Sequence, residues 1–321
     1  MQVAYTEAMH SPRPNVFSGP YIDRRTEARK DAAALAAALA DPDTQLVPVW
    51  RQYSLIRHLP QPQAVLLPGQ HTLRAYCEDE AFIYLGEFRG RATFAVELTE
   101  PADAQHAAAR HTPLAAEAEF ADLRALGALL PTDEAGLLAY ARGLVYWRSK
   151  HRYCGACGSP MRPRDAGHVM TCVAPACGQQ SFPRIDPAII VLITDGERAL
   201  LGRQASWPAG RFSTLAGFVE PGESLEDAVT REMYEEAGIS VTDIRYHSSQ
   251  PWPFPSSLML GFTARALNNV IALNDAELED ARWFSRAAVL RGEVGLPPPT
   301  SVSFRLIEHW LGDAASASTR A

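Results

Sequence analysis

Two glutamates, Glu232 and Glu236, lie where a predicted helix should continue its apolar side. At about 100° per residue, Leu225 and Val229 share that side, and the two carboxylates follow within the next two turns. Carboxylates held close together in a half-buried place repel each other and resist ionisation, and a divalent cation removes that conflict. Because hard oxygen ligands suit Mg²⁺ or Mn²⁺, the pattern predicts a metal site, with Glu235 close by.

The elements that must hold these carboxylates follow from the residues around them. Ser224, with Asp227 three residues later, is a capping-box pattern. We therefore expect a helix over residues 225–237 that stops at Gly238. A strand over residues 211–216 should lead into a tight loop before the helix, so that the glutamates stand beside the end of a strand.

The same stretch resembles the Nudix box, the metal-binding loop and helix of the Nudix hydrolases. Nine positions carry the resemblance: Gly217, Glu223, Arg231, Glu232, Met233, Glu235, Glu236, Gly238 and Ile239. The resemblance implies an enzyme that cleaves nucleoside diphosphates linked to another group. The alternative, a solvated acidic helix, is disfavoured because two of the glutamates fall on the apolar stripe.

Four clustered cysteines form a second constellation: Cys154, Cys157, Cys172 and Cys177. Four thiolates at such spacings make a closed, tetrahedral, structural zinc site, although the second pair is wider than the usual Cys-x2-Cys. His151 and His168 are alternative ligands, and disulfides are the alternative chemistry. Basic residues outnumber acidic ones between residues 148 and 184, so this module could also contact RNA phosphates.

Length and composition set the frame for these sites. At 321 residues the chain is too long for one typical domain. A net charge of −7 does not indicate a general nucleic-acid binder. No apolar run reaches the length of a membrane span, and no signal peptide is visible. Because clustered cysteines suit a metal site in a reducing compartment, we expect a cytoplasmic protein without membrane contact.

The pattern predicts an α+β chain of three domains: an α/β domain over residues 1–147, a zinc ribbon over 148–181, and an α/β/α sandwich of Nudix type over 182–321. In the first domain we expect helices over 31–40, 115–130 and 137–148 and strands over 45–50, 64–67, 81–87 and 91–98. In the last we expect strands over 187–193, 199–202, 211–216, 241–246, 258–266 and 281–284 and a final helix over 301–311.

A proline-rich segment over residues 249–257, SQPWPFPSS, follows the predicted box helix. Three prolines in five residues favour a stiff, extended backbone that could present Trp252 and Phe254 to a heteroaromatic ring. The alternative is a rigid loop that packs its aromatic rings inward. Placed after a Nudix box, the segment resembles the signature of the NADH pyrophosphatases, which also remove NAD caps from RNA. The preceding zinc ribbon and residues 182–185, FPRI, resemble the same subfamily, as does FSGPYIDRR over residues 17–25, although weakly.

The resemblance implies roles for individual residues. Glu232, Glu235 and Glu236 would be catalytic and would hold the Mg²⁺ or Mn²⁺, and Glu236 or Glu235 would be the base. The metal set would be completed by Ala216, through its carbonyl, and by Glu277. The substrate site would include Phe182, Gln250, Pro251, Trp252, Pro253, Phe254, Pro255, Ser256, Ser257 and Ser303. Of these, Glu277 has an equally simple interpretation as a surface residue.

The implied reaction is hydrolysis of NAD(H) to NMN(H) and AMP, with NAD-capped RNA as a further substrate. The subfamily resemblance also implies a homodimer. Two other functions stay open: hydrolysis of ADP-ribose or dinucleoside polyphosphates, and a non-catalytic nucleotide or RNA sensor. The proline-rich segment argues against the first, and the complete set of box glutamates argues against the second.

Overall fold

A computed structural model describes residues 14–58, 60–71, 73–74, 77–98, 118–273 and 277–318. Its contacts divide the chain into two compact units. The first contains residues 16–185 together with Trp252–Ser256, and the second contains Asp186–Pro251 and the chain from Ser257 onward. None of the helices in the described part of the chain combines the length and apolar character that crossing a bilayer requires.

The first unit is built on a mixed sheet in the order β1-β6-β7-β2-β3-β4, with β5 beside β2 and β8 beside β3. Its strands are β1 (Ile22–Asp23), β2 (Gln45–Trp50), β3 (Tyr53–Arg57), β4 (Gln63–Ala64), β5 (Leu67–Pro68), β6 (Phe82–Phe88), β7 (Arg91–Leu98) and β8 (Ala118–Ala121). Only β2 and β7 run parallel among the strand pairs described in this sheet. Because neighbouring residues point to opposite faces of a strand, the apolar strands of this sheet can cover a core on each side.

Two helical layers cover the two faces. The α-helices in the described part of this unit are α1 (Ala32–Ala40), α2 (Leu123–Leu126) and α3 (Thr132–Lys150). Helix α3 buries Leu137, Leu138 and Leu144 against Val47 on one face, whereas α1 packs Leu35 against the opposite face. Asp31 caps α1 through the amide of Ala34. The layers are therefore helix, sheet and helix.

The zinc-ribbon segment belongs to the first unit and folds as a three-stranded antiparallel sheet in the order β11-β10-β9. Its strands are β9 (Met161–Arg164), β10 (Val169–Cys172) and β11 (Gln180–Ser181). The turn between β9 and β10 holds Asp165 and Ala166 at φ of 48° and 54°, in the left-handed region that side chains rarely adopt. After that turn, the buried His168 bonds through Nε2 to the carbonyl oxygen of Tyr84 at 2.7 Å.

The second unit is a six-stranded sheet in the order β15-β16-β12-β13-β17, with β14 beside β12. Its strands are β12 (Asp186–Thr194), β13 (Arg198–Arg203), β14 (Leu215–Phe218), β15 (Val241–Trp252), β16 (Ser257–Ala266) and β17 (Asp280–Ser285). Strands β12 and β16 are parallel over their whole length, and β12 is the apolar run that the sequence predicts at the centre of the sheet.

The described residues of the second unit also form three helices: α4 (Leu225–Ala237), α5 (Arg286–Leu290) and α6 (Val302–Ser318). Helix α4 buries Val229 and Met233 against Ile189 of β12. Helix α6 packs Leu306 with Leu192 of the same strand. Alternate residues of β12 therefore enter two cores, and the unit is the predicted α/β/α sandwich.

Several predictions for local structure differ from the structure. The strand expected over residues 64–67 is two short strands, β4 and β5, and the strand expected over 211–216 begins only at Leu215. A helix over residues 115–130 is replaced by strand β8 and the short helix α2; residues 115–117 lie outside the described residues. The alanines and leucines favour a helix, but Leu55 on β3 pairs with Phe120 and completes the sheet. The proline-rich segment is not extended throughout, because β15 ends at Trp252 and the chain turns before β16.

Candidate active site and zinc site

Helix α4 begins and ends as its sequence predicts. Ser224 accepts a hydrogen bond from the amide of Asp227, and the Asp227 carboxylate accepts one from the amide of Ser224, a reciprocal capping box. Gly238 ends the helix at φ 66°, in the left-handed region. Both helix ends are therefore satisfied locally, and the positions of the glutamates between them are fixed by the helix.

Glu232 leans from α4 over the end of β14. A Cβ atom placed on Gly217 would lie 1.9 Å from its carboxyl carbon. Only a residue without a side chain leaves room there for the carboxylate. Burial raises the pKa of Glu232, and the carboxylates of Glu235 and Glu277 push in the same direction, against the ion pair with Arg231. The helix thus holds a carboxylate whose ionised form a nearby cation would stabilise.

Arg231 organises the acidic residues around the box loop. It pairs with Glu223 at 2.6 Å, Glu232 at 2.9 Å and Glu235 at 3.0 Å. It also donates to the carbonyl oxygen of Phe218. The hydrogen bonds from Arg231 hold the pKa of Glu223 down at about 2. Glu223 is therefore ionised and stabilises the loop through its ion pair with Arg231. Arg231 links that loop to the face of α4 that carries the other glutamates.

The remaining glutamates differ in exposure. Glu236 is 4% exposed, whereas Glu235 and Glu277 are exposed. Ala216 lies on β14 opposite Ile190, directly before Gly217. The structure thus brings Glu232, Glu235 and Glu277 within electrostatic reach of one another. Within the ranges described, only the cysteine cluster gathers three or more Cys, His, Asp or Glu ligand atoms within 4.8 Å.

This donor set fits a hard divalent cation. It consists of oxygen ligands alone, one of them buried, and burial, with a smaller effect of the neighbouring carboxylates, raises the pKa of Glu232. The set contains no sulfur or imidazole ligand, so it resembles the ligand sets of Mg²⁺ or Mn²⁺ rather than that of zinc. The assignment of these residues as ligands stays a prediction.

The four cysteines of the ribbon converge. Their Sγ atoms all lie within 4.8 Å of one another, with 3.5 Å between Cys157 and Cys172 and 3.8 Å between Cys154 and Cys177. Four ligands at a zinc–sulfur distance of about 2.3 Å on a tetrahedron stand about 3.8 Å apart. Hydrogen bonds from Ser159 lower the pKa of Cys157 to about 6. The positions of the four sulfur atoms fit a structural zinc ion.

The wide second cysteine pair has a simple explanation. The carbonyl of Ala174 accepts from the amides of Cys177 and Gly178, so the turn starts at Ala174 while Cys172 stays on β10. The two histidines considered as alternative ligands are engaged elsewhere. His151 bonds to the carbonyl of Trp147, and burial lowers the pKa of His168 to about 4.

Two predicted substrate residues are deeply buried in the second unit. Gln250 is 1% exposed; its amide donates to the carbonyl of Thr300 and accepts from the amide of Val302 at the start of α6. Ser303 is also 1% exposed, and its hydroxyl accepts from the amide and hydroxyl of Thr214. These side chains brace α6, and their direct contact with a substrate stays a prediction.

The proline-rich turn belongs to the first unit. Trp252 and Phe254 are half-buried, and their ring centroids lie 6.2 Å and 5.6 Å from that of Phe17. Pro253 is buried between them. Phe182, also in the first unit, is 61% exposed. The rings therefore pack inward on one side, as in the alternative interpretation, and keep another side accessible. The neighbouring Pro251, Pro255, Ser256 and Ser257 are half-buried or exposed.

The basic patch of the ribbon is weaker than its composition suggests. Arg148 is buried at 7% exposure. Arg152 pairs with Glu97 at 2.8 Å, and Arg162 lies 4.0 Å from Glu80. Three of the six basic residues are thus engaged within the first unit, and the argument from charge for RNA contact loses much of its force.

Some residues that support the site were not found from the sequence. Arg142 of α3 donates to the carbonyl of Pro253 at 2.6 Å across 111 residues. Thr214 supports Ser303 across 89 residues. Spacing gives no signal for such pairs. The one local hint is an arginine on the predicted buried side of a helix, where an unpaired charge needs an explanation.

Comparison with known families divides the chain into three matched parts. Residues 43–147 match the NADH pyrophosphatase-like rudimentary NUDIX domain, residues 149–182 the NADH pyrophosphatase zinc ribbon domain, and residues 184–302 the NUDIX domain. The chain is 42% identical over 227 residues to a protein named NAD-capped RNA hydrolase NudC from Stutzerimonas stutzeri, covering 71% of this chain and 76% of that one. The chain belongs to this family of Nudix hydrolases.

Two further matches cover smaller parts of the chain. The NAD-capped RNA hydrolase NUDT12 of Macaca fascicularis is 42% identical over 197 residues, and the match spans 57% of this chain but only 43% of NUDT12. Among solved structures, a NUDIX hydrolase from Nitrosomonas europaea aligns with a TM-score of 0.39 and 22% identity, over 45% of this chain and 83% of that one.

Proposed function

We propose that this Nudix hydrolase cleaves the diphosphate of NAD(H), so that NADH and water give NMNH and AMP, and that it removes NAD caps from RNA. The observation that carries the proposal is the seating of Glu232 against Gly217 beside the buried Glu236. The names of the relatives support the substrate. The chain spans less than half of NUDT12, so that protein's further partners are not carried over.

Glu232 and Glu236 would hold a divalent cation, Mg²⁺ or Mn²⁺, together with Glu235, Glu277 and the carbonyl of Ala216. Such an ion neutralises charge on the diphosphate and lowers the pKa of a bound water when present. The protein's own part is to hold hard oxygen donors in a half-buried place, where burial first and the neighbouring carboxylates second raise the pKa of Glu232.

Arg231 and Glu223 would keep the box loop in place during turnover. Their pairing leaves the Arg231 guanidinium shared among three carboxylates, so it also limits the local negative charge that a diphosphate would meet. A glutamate of the box, Glu236 or Glu235, would accept the proton of the attacking water. The exposed Glu235 can reach solvent directly, whereas the buried Glu236 is better suited to hold metal.

Recognition of the nucleosides would fall to aromatic faces. The accessible sides of Trp252 and Phe254, and the exposed Phe182, offer flat surfaces to a nicotinamide or adenine ring. Gln250 and Ser303 belong to the proposed substrate site within the second unit, where their polar atoms bind the start of α6 and the region of Thr214. Pro251, Pro255, Ser256 and Ser257 complete the predicted surface.

The test is hydrolysis of NADH by the purified full-length protein, with Mg²⁺, with Mn²⁺ and with a chelator. We expect metal-dependent release of AMP and NMNH, and release of NMN from a short NAD-capped RNA. Preferred cleavage of ADP-ribose or diadenosine polyphosphates would replace the proposed substrate. Nucleotide binding without turnover in either metal would identify a sensor instead and refute the enzyme.

The finer organisation belongs to the same proposal. Boundaries at residues 147/148 and 181/182 follow from the sequence pattern, and a homodimer in the cytoplasm follows from the family resemblance and the clustered cysteines. Light scattering of the purified protein would test the dimer. The four-cysteine cluster carries structural zinc, whereas the choice between Mg²⁺ and Mn²⁺ at the glutamates is part of what we propose.

A further inference from the structure

The proline-rich turn is held by the first unit. Trp252–Ser256 is grouped with that unit, although the residues before and after it belong to the second. The Trp252 and Phe254 rings lie 5.1 Å apart in an edge-to-face contact, and both meet Phe17 in the same way. Edge-to-face contacts favour a particular orientation of the rings. They do not bind the backbone of the turn, which needs a separate hydrogen bond.

Arg142 of α3 supplies that fixation. Its Nε donates to the carbonyl oxygen of Pro253 at 2.6 Å. Its two terminal nitrogens donate to Gln52, one to the backbone carbonyl and the other to the side-chain oxygen at 3.0 Å. The guanidinium carbon lies 4.8 Å from the centre of the Phe254 ring. One planar group therefore touches the backbone and the ring of the turn together.

The other end of this bridge is also well defined. Gln52 stands in the two-residue turn between β2 and β3, where Arg51 and Gln52 have φ of 46° and 72°. Turns of this shape match the twist of the flanking strands and fix the register of a hairpin. The carbonyl that Arg142 binds thus belongs to a tight hairpin turn of the first unit's sheet and not to a loose loop.

The burial of Arg142 is costly and needs a compensating role. The side chain is 9% exposed, and burial lowers its pKa. No carboxylate among the described residues lies within ion-pair distance of it. A buried cation without a counterion is tolerated only when its donors are satisfied. The rigid fork of an arginine can satisfy three at once, which a lysine cannot.

We propose that Arg142 is a positioning residue, which fixes the turn carrying Trp252 and Phe254 and so sets the aromatic faces left for the nucleoside of the substrate. The inference rests on the proposed function in one respect, that these faces meet the nicotinamide nucleoside. Arg142 acts through the turn and does not touch the diphosphate. It gives the rudimentary first domain a task in recognition.

The experiment compares Arg142→Met with Arg148→Met in the full-length protein. Arg148 lies on the same helix, is 7% exposed and donates to the carbonyl of Glu80, far along the chain from the turn. Both variants lose a buried guanidinium, so both should lower the melting temperature. Only Arg142→Met should change how substrates are discriminated.

Two readouts follow. Arg142→Met should lower kcat/KM for NADH by about 5- to 150-fold, the range for a lost base–aromatic stacking contact, mainly through KM. ADP-ribose, which lacks the second heteroaromatic ring, should change less than about threefold. Arg142→Lys, which can still donate to Pro253, should recover part of the loss. Arg148→Met should leave the ratio of the two substrates unchanged.

Hydrogen–deuterium exchange of the peptide over residues 249–258 tests the positioning without catalysis. It should speed up in Arg142→Met and stay at the wild-type rate in Arg148→Met. Unchanged exchange, or equal losses on both substrates, would overturn the role of Arg142. A wild-type protein that fails to cleave NADH would refute the proposed function instead, and the exchange result would still decide whether Arg142 holds the turn.

Discussion

The substitution Gly217→Ala should separate the fold of this enzyme from its chemistry. A methyl group at this position would lie 1.9 Å from the carboxyl carbon of Glu232 and 2.0 Å from one of its oxygens. Carbon atoms in contact are comfortable at about 3.5 Å, so the carboxylate has to retreat by about 1.6 Å. The atoms that must move are the far end of a flexible side chain, and the backbone can stay in place.

A displacement of this size is large for catalysis and small for stability. Misplacing a reacting or metal-holding group by about 1 Å can cost about 100-fold in rate. We therefore expect Gly217→Ala to lose about 100-fold or more in kcat for NADH, with a melting temperature close to that of the wild type. Gly312→Ala is the matched control, because nothing lies within 4 Å of a Cβ at that helical position.

A double-mutant cycle with Glu232→Gln completes the assay. If the new methyl group acts by displacing Glu232, the double variant should be no slower than Glu232→Gln alone. If kcat of Gly217→Ala stays within about threefold of the wild type, the close contact between Glu232 and Gly217 is not needed for turnover. Multiplicative losses in the double variant, or a large fall in melting temperature, would show that the methyl group disturbs the loop rather than the carboxylate.

Three further predictions concern other parts of the molecule. Glu236→Gln should keep the fold and lose about 100- to 10,000-fold in kcat at saturating metal; near-normal turnover would refute its role. Elemental analysis of protein purified without added metal should find one zinc per chain that survives Mg²⁺ chelation; linked disulfides in the cysteine cluster would contradict it. Burial lowers the pKa of His168 from 6.5 to about 4, so the folded state takes up its proton later than the unfolded state as the pH falls. The contribution of His168 to the free energy of unfolding is complete above about pH 6.5 and should be smaller by about 2 kcal/mol at pH 5. In urea unfolding, His168→Gln lacks this group, so its free energy of unfolding should fall less between these pH values. An equal fall in the variant and the wild type would exclude His168 as the source.

The box helix could be predicted closely because its determinants are local. The cap at Ser224, the stop at Gly238 and the glutamates on the apolar stripe all lie within one short stretch. The zinc cluster is local in the same sense, since two turns present two pairs of thiolates. Where a neighbouring segment decides the structure, the prediction was wrong: Phe120 is drawn into a strand by its pairing with Leu55.

The support of the substrate site could not be predicted because it is non-local. Gln250 resembled a polar residue of a binding loop, but it fills its hydrogen bonds at Thr300 and Val302. Trp252 and Phe254 have one side in the core of the first unit, and no spacing in the sequence indicates that Phe17 is their partner. Contacts over such separations depend on topology, which the local pattern does not specify.

The buried arginines of helix α3 indicate a task for the first unit other than its own core. The helix buries two arginines, Arg142 and Arg148, six residues apart, and both donate to backbone carbonyls that are distant in sequence, Pro253 and Glu80. Among the described residues no carboxylate forms an ion pair with either arginine, and burying two such cations opposes folding. Hydrophobic burial along the same helix has to offset this cost. Such an arrangement is useful where a fixed backbone position matters more than stability. In this chain each guanidinium also satisfies a backbone carbonyl, which a methionine would leave without that donor. Arg142→Met and Arg148→Met are therefore both expected to lower the melting temperature.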